Sequence, residues 1–294
     1  MLKRKEERLL TIILDGKATS EKLKQEIVQE AAAIKEKYNK VPTIALMASG
    51  KTDSREYFYV DKKASLSSQL GLNSQLQKVP ETISEREFLE MVRANNDDKN
   101  IHGVLIQLPL PKQISEERAI GEVSPEKDVD GLHPTNLGRL MMGKECLVSP
   151  AALGIMELFS NYKIDAYGKH AVIVGAGNLV AKPMVFLALQ SGASSTIVDP
   201  KTKDLSRYTK QGDILITDME KAYGITKDMV KEGAVIADCG NNVTEGGKVV
   251  GDVDFNQVKD RATAITPVPG GVGPMLLSCL LKNLVTTAKK QLKD

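Results

Sequence analysis

The sequence predicts an α/β protein of two domains, and three features of its 294 residues carry that expectation. Short apolar, β-branched runs alternate with stretches whose apolar residues recur at helical spacing. The alternation pauses at a Pro- and Ala-containing segment around Ser149 to Leu153 and then begins again. One run of the second half, Ala171 to Val174, leads directly into a glycine-rich turn. Strand, helix and strand in this order build a parallel sheet.

In the first half, residues from about Ser20 to Tyr38 place Leu23, Ile27 and Ala31 on one helical face. The apolar run Pro42 to Met47 reads as a strand. A second helix is expected from near Asp53 to Gln69, where Gly71 is placed to stop it. A helix near Glu85 to Asn95 and the strand Gly103 to Gln107 follow, and a Pro-rich stop spans Leu108 to Pro111. In the second half the strand Ala171 to Val174 is followed by a crossover helix from Pro183 to Gln190. The next strand, Ser195 to Val198, ends at Asp199, and Ile214 to Thr217 and Ala234 to Ala237 supply two more. This half is Rossmann-like. The last segment, Gly273 to Lys290, is an amphipathic helix expected to pack back on the first domain.

Composition narrows the function classes. Hydrophobic residues make up 41% and charged residues 27%, a globular balance that argues against disorder. The net charge is +2, with basic and acidic residues mixed throughout, so neither a nucleic acid nor a membrane is an expected partner. The basic opening from Met1 to Arg8 contains Glu6 and Glu7 and reads as a solvated lead-in, not an address signal. No stretch approaches the ~18 uninterrupted apolar residues of a membrane span. Cys146, Cys239 and Cys279 are odd in number and far apart. That pattern fits a reducing, cytoplasmic setting and neither a zinc site nor a disulfide framework. No metal site is expected, and the three histidines read as structural.

The clearest chemical signal is the turn Gly175-Ala176-Gly177-Asn178 between the strand and its helix. Such a turn aims backbone N–H groups at a phosphate, and the helix dipole favours the negative charge. The third glycine of the fingerprint is not in its usual place, so the strand and helix around the turn carry most of the argument for dinucleotide binding. Asp199 lies ~20 residues further on, where an acid typically holds an adenosine ribose hydroxyl. An acid there repels a 2′-phosphate and favours NAD over NADP. The same residue also reads as a solvated Asp in an Asp-Pro turn, and both readings stand.

Four segments together carry a resemblance. They are Leu14 to Ala18 (LDGKA), Val104 to Pro111 (VLIQLPLP), Lys127 to Pro134 (KDVDGLHP, continuing through Asn136 to Arg139) and Thr266 to Met275 (TPVPGGVGPM). The chain resembles, over almost its whole length, the methylenetetrahydrofolate dehydrogenase/methenyltetrahydrofolate cyclohydrolase family. The resemblance implies an N-terminal α/β folate domain (1–148 plus 274–294), a Rossmann-like NAD(P)-binding domain (149–273) and a cleft between them. It also implies tetrahydrofolate derivatives as substrates and a homodimer. By that resemblance Asp130 holds the pterin edge, Gln107 stands in the central motif, and Tyr57 is the active-site Tyr of a Ser-x-x-Tyr pattern beginning at Ser54. Pro269, Gly270 and Gly271 form a rigid turn for close approach to a flat ligand. Gly175, Ala176, Gly177, Asp199 and Asn241 are the expected cofactor residues.

The sequence also departs from the family. Four residues beyond Tyr57, where relatives carry a catalytic Lys, stands Asp61, in the register that keeps Lys63-Ala64 matched. Asp61 is therefore expected at the catalytic position with Tyr57, Gln107 and Asp130. An anionic Asp cannot supply the proton transfers of ring opening, so cyclohydrolase activity is expected to be weak or lost. Two relocations keep a Lys: Lys62, or Tyr59 with Lys63 at the same four-residue spacing. Asp218 and Glu220 put acids where relatives have an Ala-x-Gly-x-Pro type loop, and Asn241 stands where Ile is common. The leading expectation is an NAD-using dehydrogenase. The alternatives are a non-catalytic folate-binding paralogue and a bifunctional enzyme with a relocated Lys.

Overall fold

The computed structural model describes residues 10–49 and 55–293, residues 55–58 for their backbone alone. The chain runs through β1 (Ile12–Ile13), α1 (Gly16–Tyr38), β2 (Thr43–Ser49), α2 (Arg55–Gln69), β3 (Asn73–Val79), α3 (Glu85–Asp97) and β4 (Gly103–Gln107). Helices α4 (Glu116–Glu122), α5 (Pro134–Met141) and α6 (Pro150–Asn161) follow. Next come β5 (His170–Val174), α7 (Ala181–Gln190), β6 (Ser194–Val198), α8 (Ser206–Thr209), β7 (Ile214–Thr217) and β8 (Val235–Asp238). A hairpin of β9 (Asn242–Val243) and β10 (Val249–Val250), then α9 (Phe255–Val258) and β11 (Ala264–Ile265), leads to the long α10 (Val272–Gln291).

The chain divides into two compact units, one of Ser20–Leu153 with Leu276–Asp294, the other of Gly154–Met275 with the residues up to Thr19. The opening residues were expected in the first domain. Strand β1 instead pairs in parallel with β11, Ile12 opposite Ala264 and Ile13 opposite Ile265, so it completes the second unit's sheet.

In the first unit β2 lies between β3 and β4 in a three-stranded parallel sheet. All seven β2 residues are buried, as a central strand covered on both faces requires. Ala48 pairs with Gln107, which places Gln107 at the carboxyl end of the sheet, where α/β proteins bind ligands. β3 was not expected: its sequence NSQLQKV is mostly polar, and it is an edge strand with one paired side. Helix α3 opens with a capping box, in which the Ser84 hydroxyl accepts from the Glu87 N–H and the Glu87 carboxylate accepts from the Ser84 N–H. The cap aims Phe88, fully buried, at Met47, Val104 and Ile106. Phe88→Ala is expected to lower the unit's unfolding free energy by about 3–5 kcal/mol, read from urea denaturation. As expected, α10 packs onto the first unit's residues: the Asn283 side-chain amide donates to the carbonyls of Val129 and Val148, both at 2.8 Å.

The second unit is a six-stranded parallel sheet in the order β1-β11-β8-β7-β5-β6. Val172, Val174, Leu215, Ile236 and Ile265 from its strands form one apolar cluster with Ile225, Val230 and Val258. Strand order reverses beside β5, the switch point at which Rossmann-like sheets open a crevice. Among the described residues no helix is long and apolar enough to cross a membrane.

Candidate active site

Gln107, at the end of β4, meets α2. The Lys63 Nζ donates to Gln107 Oε1 at 2.7 Å, and the Gln107 amide donates to the Leu108 carbonyl at 2.9 Å. Lys63 also feels the charge of Asp130. Burial lowers the Lys63 pKa, and Asp130 opposes that shift. Burial pushes the Asp130 carboxyl up to about 6; Lys63 pulls it down, and Asp128 pushes it up. An amine whose charge is disfavoured by burial, beside a carboxylate, is a pairing suited to general acid–base chemistry.

Asp130 is held by a scaffold that the sequence did not reveal. Buried Lys127 donates to the carbonyls of Asn95 at 3.0 Å, Asn96 at 2.7 Å and Asp98 at 2.8 Å. It thereby satisfies the end of α3. The Asp128 carboxylate accepts from the His133 N–H at 2.8 Å and the Asn136 amide at 2.9 Å. Asn283 fixes the carbonyl of Val129. Lys127, Asp128 and Asn136 all lie in the motif that flagged Asp130; their buried side chains are what makes the loop rigid.

The expected register on α2 is corrected by this geometry. Asp61 is exposed, and two helical residues, ~200° of rotation, separate it from Lys63. Lys63, not Asp61, reaches Gln107 and senses Asp130. Tyr59 lies four residues before Lys63 on the same helical face. The Ser54 and Ala64 matches had favoured Tyr57. Ser54 and the Tyr57 side chain lie outside the described residues, and Tyr57 is placed only by its position on α2.

In the second unit, Gly175 closes the strand–helix turn, its N–H donating to the Val198 carbonyl at 2.9 Å. Ala176, Gly177 and Asn178 are exposed ahead of α7, which begins two residues earlier than expected. Asp199 is exposed at the end of β6, where its Oδ1 accepts from the Lys201 N–H at 2.8 Å. The residue does form the Asp-Pro turn. Asn241 is exposed on the loop after β8. Two buried carboxylates shape these loops. Asp238 accepts from the N–H groups of Gly240, Asp252 and Val253. Asp252 accepts from Met219 N–H at 2.7 Å, Lys221 N–H at 3.1 Å and the Asn242 amide at 3.0 Å. Burial pushes Asp238 up to about 6 in spite of its three backbone donors. An exposed turn rich in N–H groups at the switch point fits a dinucleotide pyrophosphate.

Pro269, Gly270 and Gly271 form a tight turn ahead of α10, with the Gly271 N–H donating to the Pro267 carbonyl at 2.8 Å. The turn also receives the start of α1: the Gly16 N–H donates to the Gly270 carbonyl at 2.8 Å. A Cβ on Gly16 would lie 1.7 Å from the Gly271 oxygen, so only glycine fits. Among the described residues no group of three or more His, Cys, Asp or Glu side chains is placed to hold a metal ion.

Comparison with known proteins agrees over both units. Residues 14–130 match the tetrahydrofolate dehydrogenase/cyclohydrolase catalytic domain, and residues 149–292 match the NAD(P)-binding domain of the same family. The chain is 43% identical to the bifunctional protein FolD of Lactococcus lactis subsp. cremoris, covering 96% of this chain and 98% of that protein. It is similar to the crystal structure of the bifunctional FolD methylenetetrahydrofolate dehydrogenase/cyclohydrolase from Campylobacter jejuni, with 40% identity and a TM-score of 0.92. That likeness covers 95% of this chain and 99% of that one. The FolD of Trypanosoma brucei, solved with NADP cofactor and inhibitor, is 28% identical with a TM-score of 0.90 over 97% of this chain and 99% of that one.

Proposed function

Because the chain belongs to the tetrahydrofolate dehydrogenase/cyclohydrolase family, we propose that it oxidises 5,10-methylenetetrahydrofolate with a nicotinamide dinucleotide and then opens the methenyl product to 10-formyltetrahydrofolate. The observation that supports the second activity is the bond from Lys63 to Gln107, close enough to Asp130 for their charges to interact. It replaces the expectation of lost ring opening, which rested on Asp61. It also takes Asp61 out of the argument for a non-catalytic paralogue, which rested as well on Asp218, Glu220 and Asn241.

Asp130 accepts hydrogen bonds from the donor edge of the pterin, and Gln107 orients Lys63. The bound dinucleotide supplies the hydride acceptor for the methylene carbon; the chain's part in that step is to position the folate. In ring opening, a water oxygen bonds to the methenyl carbon and gives its proton to neutral Lys63. The resulting ammonium protonates the ring nitrogen as its bond to that carbon breaks. The hydroxyl proton then leaves to solvent, so one water is consumed and one proton released.

The cofactor reading is NAD, supported by Asp199 at the end of β6 and by a glycine turn, residues 175–177, without a cation to meet a 2′-phosphate. Mixing protein with 5,10-methylenetetrahydrofolate and either cofactor tests both parts. Reduced nicotinamide is expected to form with kcat/KM about tenfold higher for NAD than for NADP, and Asp199→Ser is expected to narrow the gap. Equal or better use of NADP would remove Asp199 from the choice. No reduction of either cofactor would sink the dehydrogenase reading.

A further inference from the structure

Asp218 follows β7 and lies on the glycine turn. A Cβ built on Gly175 would sit 2.9 Å from the Asp218 carbonyl oxygen and 3.2 Å from its Cβ, and one on Gly177 would sit 3.4 Å from Oδ2. This one residue is thus the near neighbour that a side chain on either glycine of the turn would meet. Among the described residues no hydrogen-bond donor engages its carboxylate. The charged and titratable groups facing it are of its own sign or neutral: Glu220 on its own loop, Asp252 after β10, and the Cys239 thiol after β8. On α7, Lys182 is engaged with the Asn178 side chain at 2.8 Å. His170 stands at the opposite end of β5 from the turn.

A turn that binds pyrophosphate does so through N–H groups and a helix dipole, and an anion fixed beside them works against both. We propose that Asp218 sets the affinity of this chain for its dinucleotide: ionised, its carboxylate repels the pyrophosphate at the glycine turn, and neutral, it does not. The proposal rests on the reading that residues 175–177 hold the pyrophosphate.

Burial, then Asp252 and Glu220, push the Asp218 carboxyl up to about 6. Below that pH the group is neutral and above it is an anion. A bound anion favours the neutral form, so affinity is greatest at low pH and falls as pH rises through about 6. NAD is the suitable probe, because its pyrophosphate keeps its charge over this range whereas the 2′-phosphate of NADP titrates within it.

The test is calorimetric titration of NAD into the wild-type protein, Asp218→Asn and Glu220→Gln at about pH 5 and about pH 8. Wild type is expected to bind about tenfold more tightly at the lower pH. Asp218→Asn is expected to bind tightly at both, and Glu220→Gln to keep most of the wild-type slope. Asp238 and Asp130, with similarly raised pKa values, remain in Asp218→Asn, so the full wild-type slope surviving there also overturns the proposal. A flat wild-type profile overturns the proposal, and needs no variant to fold. So does weaker binding in Asp218→Asn, which would make Asp218 a contact of the cofactor. If neither protein binds NAD at any pH while folate still binds, the pyrophosphate reading itself fails.

Discussion

Replacing Lys63 by Met is expected to lower the enzyme-dependent rate of methenyltetrahydrofolate ring opening by about 10²- to 10⁴-fold, the range of a general acid–base group. Hydride transfer depends on positioning and is expected to fall much less, by roughly tenfold or under. Asp61→Ala is expected to leave both rates within about twofold, since an exposed side chain off the site's helical face touches neither step. The decay of the methenyl absorbance measures the first step and nicotinamide reduction the second. If Asp61→Ala abolishes ring opening while Lys63→Met spares it, the assignment on α2 is reversed.

Asp130→Asn carries the second large effect. On the proposed reading, in which Asp130 holds the donor edge of the pterin, removing this half-buried carboxylate costs about 1.5–3 kcal/mol, a rise of roughly 10- to 150-fold in the folate KM. A second readout separates this from general loosening. Ring opening by neutral Lys63 rises as pH passes upward through the Lys63 pKa. Asp130 raises that pKa, against the larger lowering by burial. Without the carboxylate the Lys63 pKa drops, so the acidic limb of the pH–rate profile moves to lower pH. A higher KM with an unmoved limb would leave Asp130 as a folate contact with no electrostatic hold on Lys63.

Much of the architecture was legible in the residues. The strands at Gly103–Gln107 and Ile214–Thr217 are buried apolar runs, and periodicity finds such runs wherever both faces of a sheet are covered. Strand β3 escaped because an edge strand with a polar face carries no such pattern. Strand β1 escaped for a different reason. Two residues pairing with β11, more than 250 positions away in sequence, leave no local signal.

The site was legible where a motif fixes the backbone and illegible where a helix decides the outcome. Gln107 and Asp130 sit on a strand end and a braced loop, so matching their motifs also fixed where their backbones lie. On α2 the single-residue matches at Ser54 and Ala64 outweighed the Tyr59–Lys63 spacing, and they selected a position, Asp61, that is exposed and two residues from the lysine that meets Gln107. Only the direction in which Lys63 leaves α2, toward Gln107, separates the two registers. The acids after β7 were visible as charges; that Asp218 lies against both glycines of the turn, while Glu220 is exposed, is tertiary information.

The most direct measurement follows both reactions of the unmodified protein in one cuvette, starting from 5,10-methylenetetrahydrofolate and NAD. With Lys63 in the site, reduced nicotinamide accumulates while methenyltetrahydrofolate stays low and the 10-formyl product forms in step. Methenyltetrahydrofolate accumulating mole for mole with reduced nicotinamide, and decaying no faster than it does in buffer, would contradict the account.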